Sequence, residues 1–268
     1  MYKLVALDMD GTLLNSDKVI TEKNKKAILE AKQAGTKVVL ASGRPLEGMT
    51  RYLEELGLTT ENDYVICYNG SLVKRVSTGE TIRTQILSGK DAKRLAKIAK
   101  EQNSYIHAFS PERGLLTPKN NPYTEHEAVI NGVEIIEFNF DELSDDEQII
   151  KAMIVNEKEA LTQTINELPT ELYEDYTIVR SADIFLEFLN KESNKGVGVQ
   201  SVAQLFGIDS KEVICMGDAE NDHHMIKYAG LGVAMENATE DTKAIADHIT
   251  HSNDESGVAS VIEQYILS

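Results

Sequence analysis

Short apolar runs alternate with helix-length amphipathic stretches over the first part of the chain. Leu4-Val5-Ala6-Leu7 reads as a strand buried on both faces. Ala27, Ile28, Ala31 and Ala34 then line one face of a helix over 21–34, which Gly35 closes. A strand over 36–41 follows, so the opening is a βαβ unit whose two strands run parallel and end on the same edge. Pro45 suits the first position of a helix reaching Leu56, which would place Ser42 and Gly43 at a helix amino end. A strand over 64–68 ends in the turn signal Asn69-Gly70, and a hairpin over 71–75 and 81–86 turns about Gly79.

The pattern then changes. Helices over 91–101, 123–130 and 158–168 are interleaved with strands over 105–109, 149–155, 177–180 and 184–189. The last two strands have no helix between them, which predicts an antiparallel α+β layer. From residue 194 strict alternation returns: helices over 194–206, 221–228, 240–246 and 258–267, with strands over 213–217, 231–235 and 248–250. The fold class is therefore α/β, a Rossmann-like parallel sheet core interrupted by an inserted α+β domain. The expected boundaries are 1–83 for the first part of the core, 84–190 for the insert and 191–268 for the second part of the core.

Two strands end in acids. The first runs into Asp8-Met9-Asp10-Gly11-Thr12, and the strand Val213-Ile214-Cys215-Met216 runs into Gly217-Asp218-Ala219-Glu220-Asn221-Asp222. Open α/β sheets bind their ligands at the carboxyl ends of strands, so Asp8, Asp10 and Asp218 are candidates for chemistry. On its own Asp-x-Asp-Gly is equally an ordinary capping turn. Oxygen ligands of this kind around waters and a phosphate oxygen describe a Mg²⁺ site. Ser42 and Gly43, read as a helix start, would cradle a phosphate or simply cap the helix. Lys195 lies in the first turn of its helix, where the dipole disfavours a cation by about 0.3–1 kcal/mol, and a shared anion would account for it. His223-His224 suggests a transition metal, but adjacent helical residues point about 100° apart and cannot both face one ion.

Composition narrows the partners. With 44 acidic and 27 basic residues the net charge is −17, which repels a phosphate backbone or an anionic membrane, so nucleic acid and lipid are not expected. Between Glu125 and Glu147 stand nine acids and no Lys or Arg, read as a solvated face of the insert, with His126-Glu127 as a possible substrate contact. Cys67 and Cys215 each sit inside an apolar run, as buried thiols of a reducing compartment do. No apolar run approaches the roughly 18 residues of a membrane span and no signal-peptide pattern is present, so the expected location is cytoplasmic. Nothing in the pattern sets the oligomeric state.

Asp8-Met9-Asp10-Gly11-Thr12-Leu13-Leu14, Ser42-Gly43-Arg44, Asn194-Lys195-Gly196 and Gly217-Asp218-Ala219-Glu220-Asn221-Asp222 occur in that order, with a domain-sized insert between the second and third. Together they resemble the four motifs of the haloacid dehalogenase superfamily, and within it the Cof-type sugar phosphatases. The resemblance implies a Mg²⁺-dependent phosphatase of small phosphorylated metabolites, with Asp8 as nucleophile forming an aspartyl-phosphate and Asp10 as acid and base. It implies metal ligation by Asp8, the Asp10 carbonyl and Asp218, with Asp222 as a direct ligand or a supporter of one. Met9 and Gly43 amides, Ser42, Lys195 and Asn221 would hold the phosphate, the insert would be a cap, and Arg44, Asn69 and His126 are substrate-contact candidates. A phosphotransferase or phosphomutase on the same scaffold, or a non-catalytic phosphosugar-binding regulator, is the alternative.

Overall fold

The computed structural model describes residues 2–268. The chain opens with β1 (Leu4–Leu7), α1 (Glu22–Gln33), β2 (Lys37–Ala41), α2 (Thr50–Glu55), β3 (Tyr64–Cys67), β4 (Leu72–Arg75) and β5 (Thr81–Thr84). It continues through β6 (Leu87–Ser88), α3 (Gly89–Glu101), β7 (Tyr105–Ser110), β8 (Gly114–Thr117), α4 (Pro122–Asn131), β9 (Ile135–Glu137), β10 (Gln148–Ile149), β11 (Lys151–Val155), α5 (Lys158–Asn166), α6 (Glu171–Asp175), β12 (Tyr176–Ala182) and β13 (Phe185–Asn190). The last stretch holds α7 (Lys195–Leu205), β14 (Val213–Gly217), α8 (His223–Tyr228), β15 (Leu231–Ala234), α9 (Glu240–Ile245), β16 (His248–Ile249) and α10 (Gly257–Tyr265). Two compact units result, one of residues up to Thr84 with Asn194–Ser268, the other of Gln85–Ser193.

In the first unit eight strands form one sheet in the order β16-β15-β14-β1-β2-β3-β4-β5. The six from β16 to β3 are parallel, while β4 and β5 join as antiparallel hairpin strands. β1 is central and buried throughout, which is why its sequence is continuously apolar. Leu4 and Ala6 face a core built with Val199, Val202 and Ala203 of α7 and Met225 of α8. On the helical layer made by α1 and α10, the buried Asn24 side chain accepts from the Ala259 amide at 2.9 Å. From β1 the chain builds outward in one direction through β2 and β3, and from β14 in the other through β15 and β16. The switch point lies at the carboxyl ends of β1 and β14.

In the second unit the six-stranded order is β12-β13-β11-β7-β8-β9, antiparallel except for the β8–β9 pair. Ile106, Ala108, Ala152, Ile154, Leu186 and Phe188 alternate onto one face and pack against Leu95 and Ala99 of α3 and Leu161 of α5. The opposite face carries His107, Lys151, Met153 and Glu187, all buried.

Two expectations need correction. No helix begins at Pro45: the first helical residue is Thr50. The residue before a proline is forced away from helical backbone, and Ser42 to Arg44 instead extend the ladder, with Ser42 N–H donating to Ile66 O and Tyr68 N–H to Arg44 O. Ser42 and Gly43 therefore sit on a strand-end loop, not at a helix amino end. The acid-rich stretch over 125–147 is also not uniformly solvated, because Glu127 is only 5% exposed.

Candidate active site

Asp8 follows β1 by one residue and keeps its ladder bond, its N–H donating to Met216 O at 3.0 Å. The carboxyl ends of β1 and β14 are thus held side by side, and Asp218 follows β14 as Asp8 follows β1. One carboxylate oxygen each from Asp8, Asp218 and Asp222 lies within 4.8 Å of the others. Gly11 makes this approach possible. Its φ of +86° is strained for any other residue, and a Cβ there would fall 2.4 Å from Asp218 Oδ2. Thr12 Oγ1 donates to Asp218 Oδ1 at 2.9 Å, and Asn237 Nδ2 pins the Gly11 carbonyl at 2.8 Å.

Lys195 reaches the acids from the first turn of α7, whose amino end is capped by Asn194 Oδ1 accepting from the Val197 amide. Its ammonium is fully buried and donates to Asp8 Oδ1 at 2.5 Å and Asp222 Oδ1 at 2.7 Å. Burial works against this charge, but Asp222 and Asp8 outweigh it and hold the lysine pKa above its ordinary value. The other Asp222 oxygen accepts the Asp218 and Ala219 amides at 3.0 and 3.1 Å. Asp222 is thereby fixed on both oxygens, aligning Lys195 and the Asp218 loop.

One ammonium does not balance three carboxylates. Burial, then the Asp222 charge, pushes Asp8 well above the usual carboxylate range against the pull of Lys195. The same two causes push Asp218 up to about 6. An all-oxygen donor set that holds excess negative charge suits a hard divalent cation, which would restore the ionised form of both acids. The residues present fit such an ion.

Asp10 stands apart. Its carboxylate lies outside that group and accepts from Arg44 Nη2 at 2.8 Å, Arg44 Nε at 3.0 Å and Lys18 Nζ at 2.9 Å. Burial alone would raise its pKa, but the Lys18 hydrogen bond and the Arg44 charge hold it below the ordinary value. Ser42 is buried, and its Oγ accepts from the Arg44 amide at 3.2 Å. Gly43 lies against the Asn69 amide, where a Cβ would come within 3.3 Å of Nδ2. Asn69 Oδ1 in turn accepts from Asn221 Nδ2 at 3.1 Å, which joins the β3 and β14 loops. Tyr68, Asn69 and Gly70 have φ of 50°, 53° and 96°, three consecutive left-handed residues held at this edge. Met9 is buried beside Asp8.

His126 belongs to the second unit, exposed on α4 with its ring 6.0 Å from that of Phe185. His223 is turned away from the acids, its Nε2 2.9 Å from Thr242 Oγ1, so the histidine pair builds no metal centre with them. Cys67 and Cys215 are free and buried, and burial raises both thiols, Cys67 to about 12. Sequence reasoning did not single out Lys18, Asn237 or the Thr12 contact with Asp218, because their partners lie 8, 226 and 206 positions away and no local pattern marks them.

A family profile described as haloacid dehalogenase-like hydrolase matches residues 5–262. "Putative phosphatase YxeH" of Bacillus subtilis (strain 168) is 42% identical over 270 residues, covering all of both chains. A haloacid dehalogenase-like hydrolase from Bacteroides thetaiotaomicron superposes with a TM-score of 0.85 at 33% identity, over 98% of this chain and 99% of that one. The HAD subclass IIB sugar phosphatase BT4131 does so with a TM-score of 0.81 at 26% identity, over 98% of each chain. Since the profile spans nearly the whole sequence and the Bacillus relative aligns with it from end to end, the chain belongs to the haloacid dehalogenase-like hydrolases, and it is a phosphoric monoester hydrolase.

Proposed function

We propose that this enzyme is a Mg²⁺-dependent phosphatase of small metabolites, sugar phosphates among them, working through an aspartyl-phosphate on Asp8. The observation that carries the reading is the meeting of Asp8, Asp218 and Asp222 at the switch point of the sheet, two of them paired with one buried ammonium. BT4131, with its sugar phosphatase activity, supports the substrate class.

In this reading an Asp8 carboxylate oxygen attacks phosphorus, the ester P–O bond breaks, and Asp10 gives its proton to the departing alcohol oxygen. Asp10 then takes a proton from water as the water oxygen attacks phosphorus, which releases orthophosphate and restores Asp8. For Asp10 to carry a proton, Arg44 and Lys18 must let go of it. A substrate that draws both cations to its own oxygens would bring that about, so Arg44 acts as both substrate contact and, with Lys18, proton gate. Lys195, Ser42, Asn221 and the Met9 and Gly43 amides hold the remaining phosphate oxygens, where charge concentrates in the transition state. Asp8, Asp218 and the Asp10 carbonyl, steadied by Asp222, would hold Mg²⁺, which when bound would supply charge neutralisation for the attack. Residues 84–190 act as the cap that selects the leaving group, with Asn69 and His126 as contacts.

The test is hydrolysis of a panel of phosphorylated metabolites and an aryl phosphate, with Mg²⁺ and with chelator. Turnover of sugar phosphates that needs Mg²⁺ and vanishes in Asp8→Asn is expected. Activity that survives in Asp8→Asn would rule out the covalent route, and full activity in chelator would rule out the metal.

A further inference from the structure

A well-formed groove lies away from the acids. It measures about 920 Å³ and lies within the second unit, between α3 and the loops after β8 and β9. In a chain of net charge −17, five of its lining residues are cationic, Lys93, Arg94, Lys97, Lys100 and Lys119, against one acid, Asp141. Lys93, Lys97 and Lys100 follow the helical i, i+4, i+7 spacing, which stacks them along one side of α3 above its buried Ala92, Leu95 and Ala99. Lys93 is paired with Asp145 and Arg94 with Asp175, whereas Lys97 lies 4.0 Å from Glu101 at an exposed position. Lys100 and Lys119 make no ion pair among the described residues. The floor beneath them is apolar, formed by Ala96, Ala99, Ile106 and Phe140, and its rim carries Tyr105, 39% exposed, and Pro118.

The volume is that of a small-molecule site. Its chemistry asks for two things in one ligand: a flat apolar body for the Tyr105 and Pro118 side, and several negative charges for the lysines. Ammonium groups on flexible stems bind phosphate as point charges and do not demand one bidentate geometry. We propose that this groove is a second binding site, separate in residues from the acid cluster, for a nucleoside polyphosphate, with the base against Tyr105 and Pro118 and the phosphates among Lys97, Lys100 and Lys119. None of these side chains is among the phosphate, metal or substrate contacts of the hydrolytic reading, so the two fail separately.

The probe is the β,γ-imido analogue of ATP, titrated calorimetrically into the full chain in chelator, which disfavours phosphate binding at the acids. One-to-one binding is expected. It should weaken at least about tenfold in the triple variant Lys97→Glu/Lys100→Glu/Lys119→Glu and several-fold in Tyr105→Ala, and fall steeply with salt. Hydrolysis of an aryl phosphate with Mg²⁺ should stay unchanged in both variants, and wild-type circular dichroism and urea midpoints certify that they fold. Absence of binding, or binding unaltered in the triple variant, would overturn the proposal. Inorganic tripolyphosphate binding as tightly as the nucleotide analogue would also overturn it, because the apolar side would then contribute nothing.

Discussion

Each unit buries one lysine between two carboxylates, and the two arrangements serve different ends. In the first unit Lys195 sits 2.5 and 2.7 Å from Asp8 and Asp222, with Asp218 close by. In the second unit Lys151 sits 3.4 and 3.3 Å from Glu127 and Glu187, above the Phe109 ring at 5.1 Å and near His107. Both lysines are raised above the ordinary value, because burial is outweighed by Asp222 and Asp8 in one case and by Glu187 and Glu127 in the other. The difference lies in location and balance. Lys195 stands at strand ends beside a glycine turn, with a third acid left uncompensated. Lys151 is mid-sheet on β11, its partners on β13 and α4, and it fastens the helix to the open face of the sheet. A buried lysine with acids is therefore not a site in itself; acids in excess at a switch point are what the proposed function rests on.

The largest expected effect separates these roles directly. Lys151→Met leaves two buried carboxylates facing each other and should cost about 3–5 kcal/mol of stability, read by urea unfolding, while turnover of an aryl phosphate per folded molecule is unchanged. Lys195→Met should do the reverse. Activity falls on the order of 10²–10³-fold through loss of a charge-stabilising donor, and the stability cost is softened because Asp8, already pushed upward, can take a proton. Loss of activity per folded molecule in Lys151→Met would erase the distinction.

The excess of acids gives the next test. A divalent cation that binds only the folded first unit stabilises it by about 2.7 kcal/mol at a concentration 100 times Kd. Mg²⁺ should therefore raise the melting temperature of the wild-type chain and not that of Asp218→Asn. Without metal, Asp218→Asn itself should be no less stable than wild type, since the carboxylate it removes is held at about 6 by burial and by the Asp222 charge. A Mg²⁺ shift that persists in Asp218→Asn would place the ion elsewhere.

Acid should act on the second unit through His107. Burial, with the Lys151 charge second, drives its pKa down to about 3 from 6.5. The ring is neutral in the fold, its Nδ1 3.0 Å from Thr124 Oγ1 and its Nε2 3.2 Å from Met153 Sδ. Between those two values the unfolded chain binds the proton and the folded chain does not, so stability is full above about 6.5 and lost as pH falls. By pH 5 the loss is about 2 kcal/mol. His107→Gln should flatten that slope, measured as amide exchange of β7 and β11 against pH. An unchanged slope would mean that the ring is not the titrating group.

Legibility from sequence follows the same division. The acids of the first unit could be read because each ends a continuous apolar strand, and strand ends in a parallel sheet share an edge. Ser42 was legible as lying near that edge, but the pattern puts it at the start of a helix that begins only at Thr50, because Pro45 acts on the residue before it as well as on itself. The pairing of Asp10 with Arg44 and Lys18 depends on side-chain direction, which spacing does not encode. In the second unit β8 and β9 escaped notice, being four and three residues long between polar flanks. The lysine cluster did leave a trace: His107 in Tyr-Ile-His-Ala-Phe, Lys151 before Ala-Met-Ile-Val and Glu187 in Phe-Leu-Glu-Phe-Leu are each a polar residue inside or beside an apolar strand. Three such residues on facing strands signal a buried polar network.

The smallest effect sharpens the comparison by holding backbone conformation constant. Asn69 and Asn103 both adopt left-handed backbone, with φ of 53° and 50°. Asparagine tolerates this region where alanine does not, so alanine at either position should cost on the order of 1 kcal/mol of stability. Glycine should recover most of it at both. The side chains then part company. Asn69 holds Asn221 at 3.1 Å beside the acids, whereas the Asn103 turn follows α3 in the second unit. Asn69→Gly should therefore keep near-wild-type stability and lose activity several-fold, and Asn103→Gly should keep both. If Asn69→Gly turned over as wild type does, the left-handed run after β3 would be a backbone device alone, and Asn221 would need no partner to do its work.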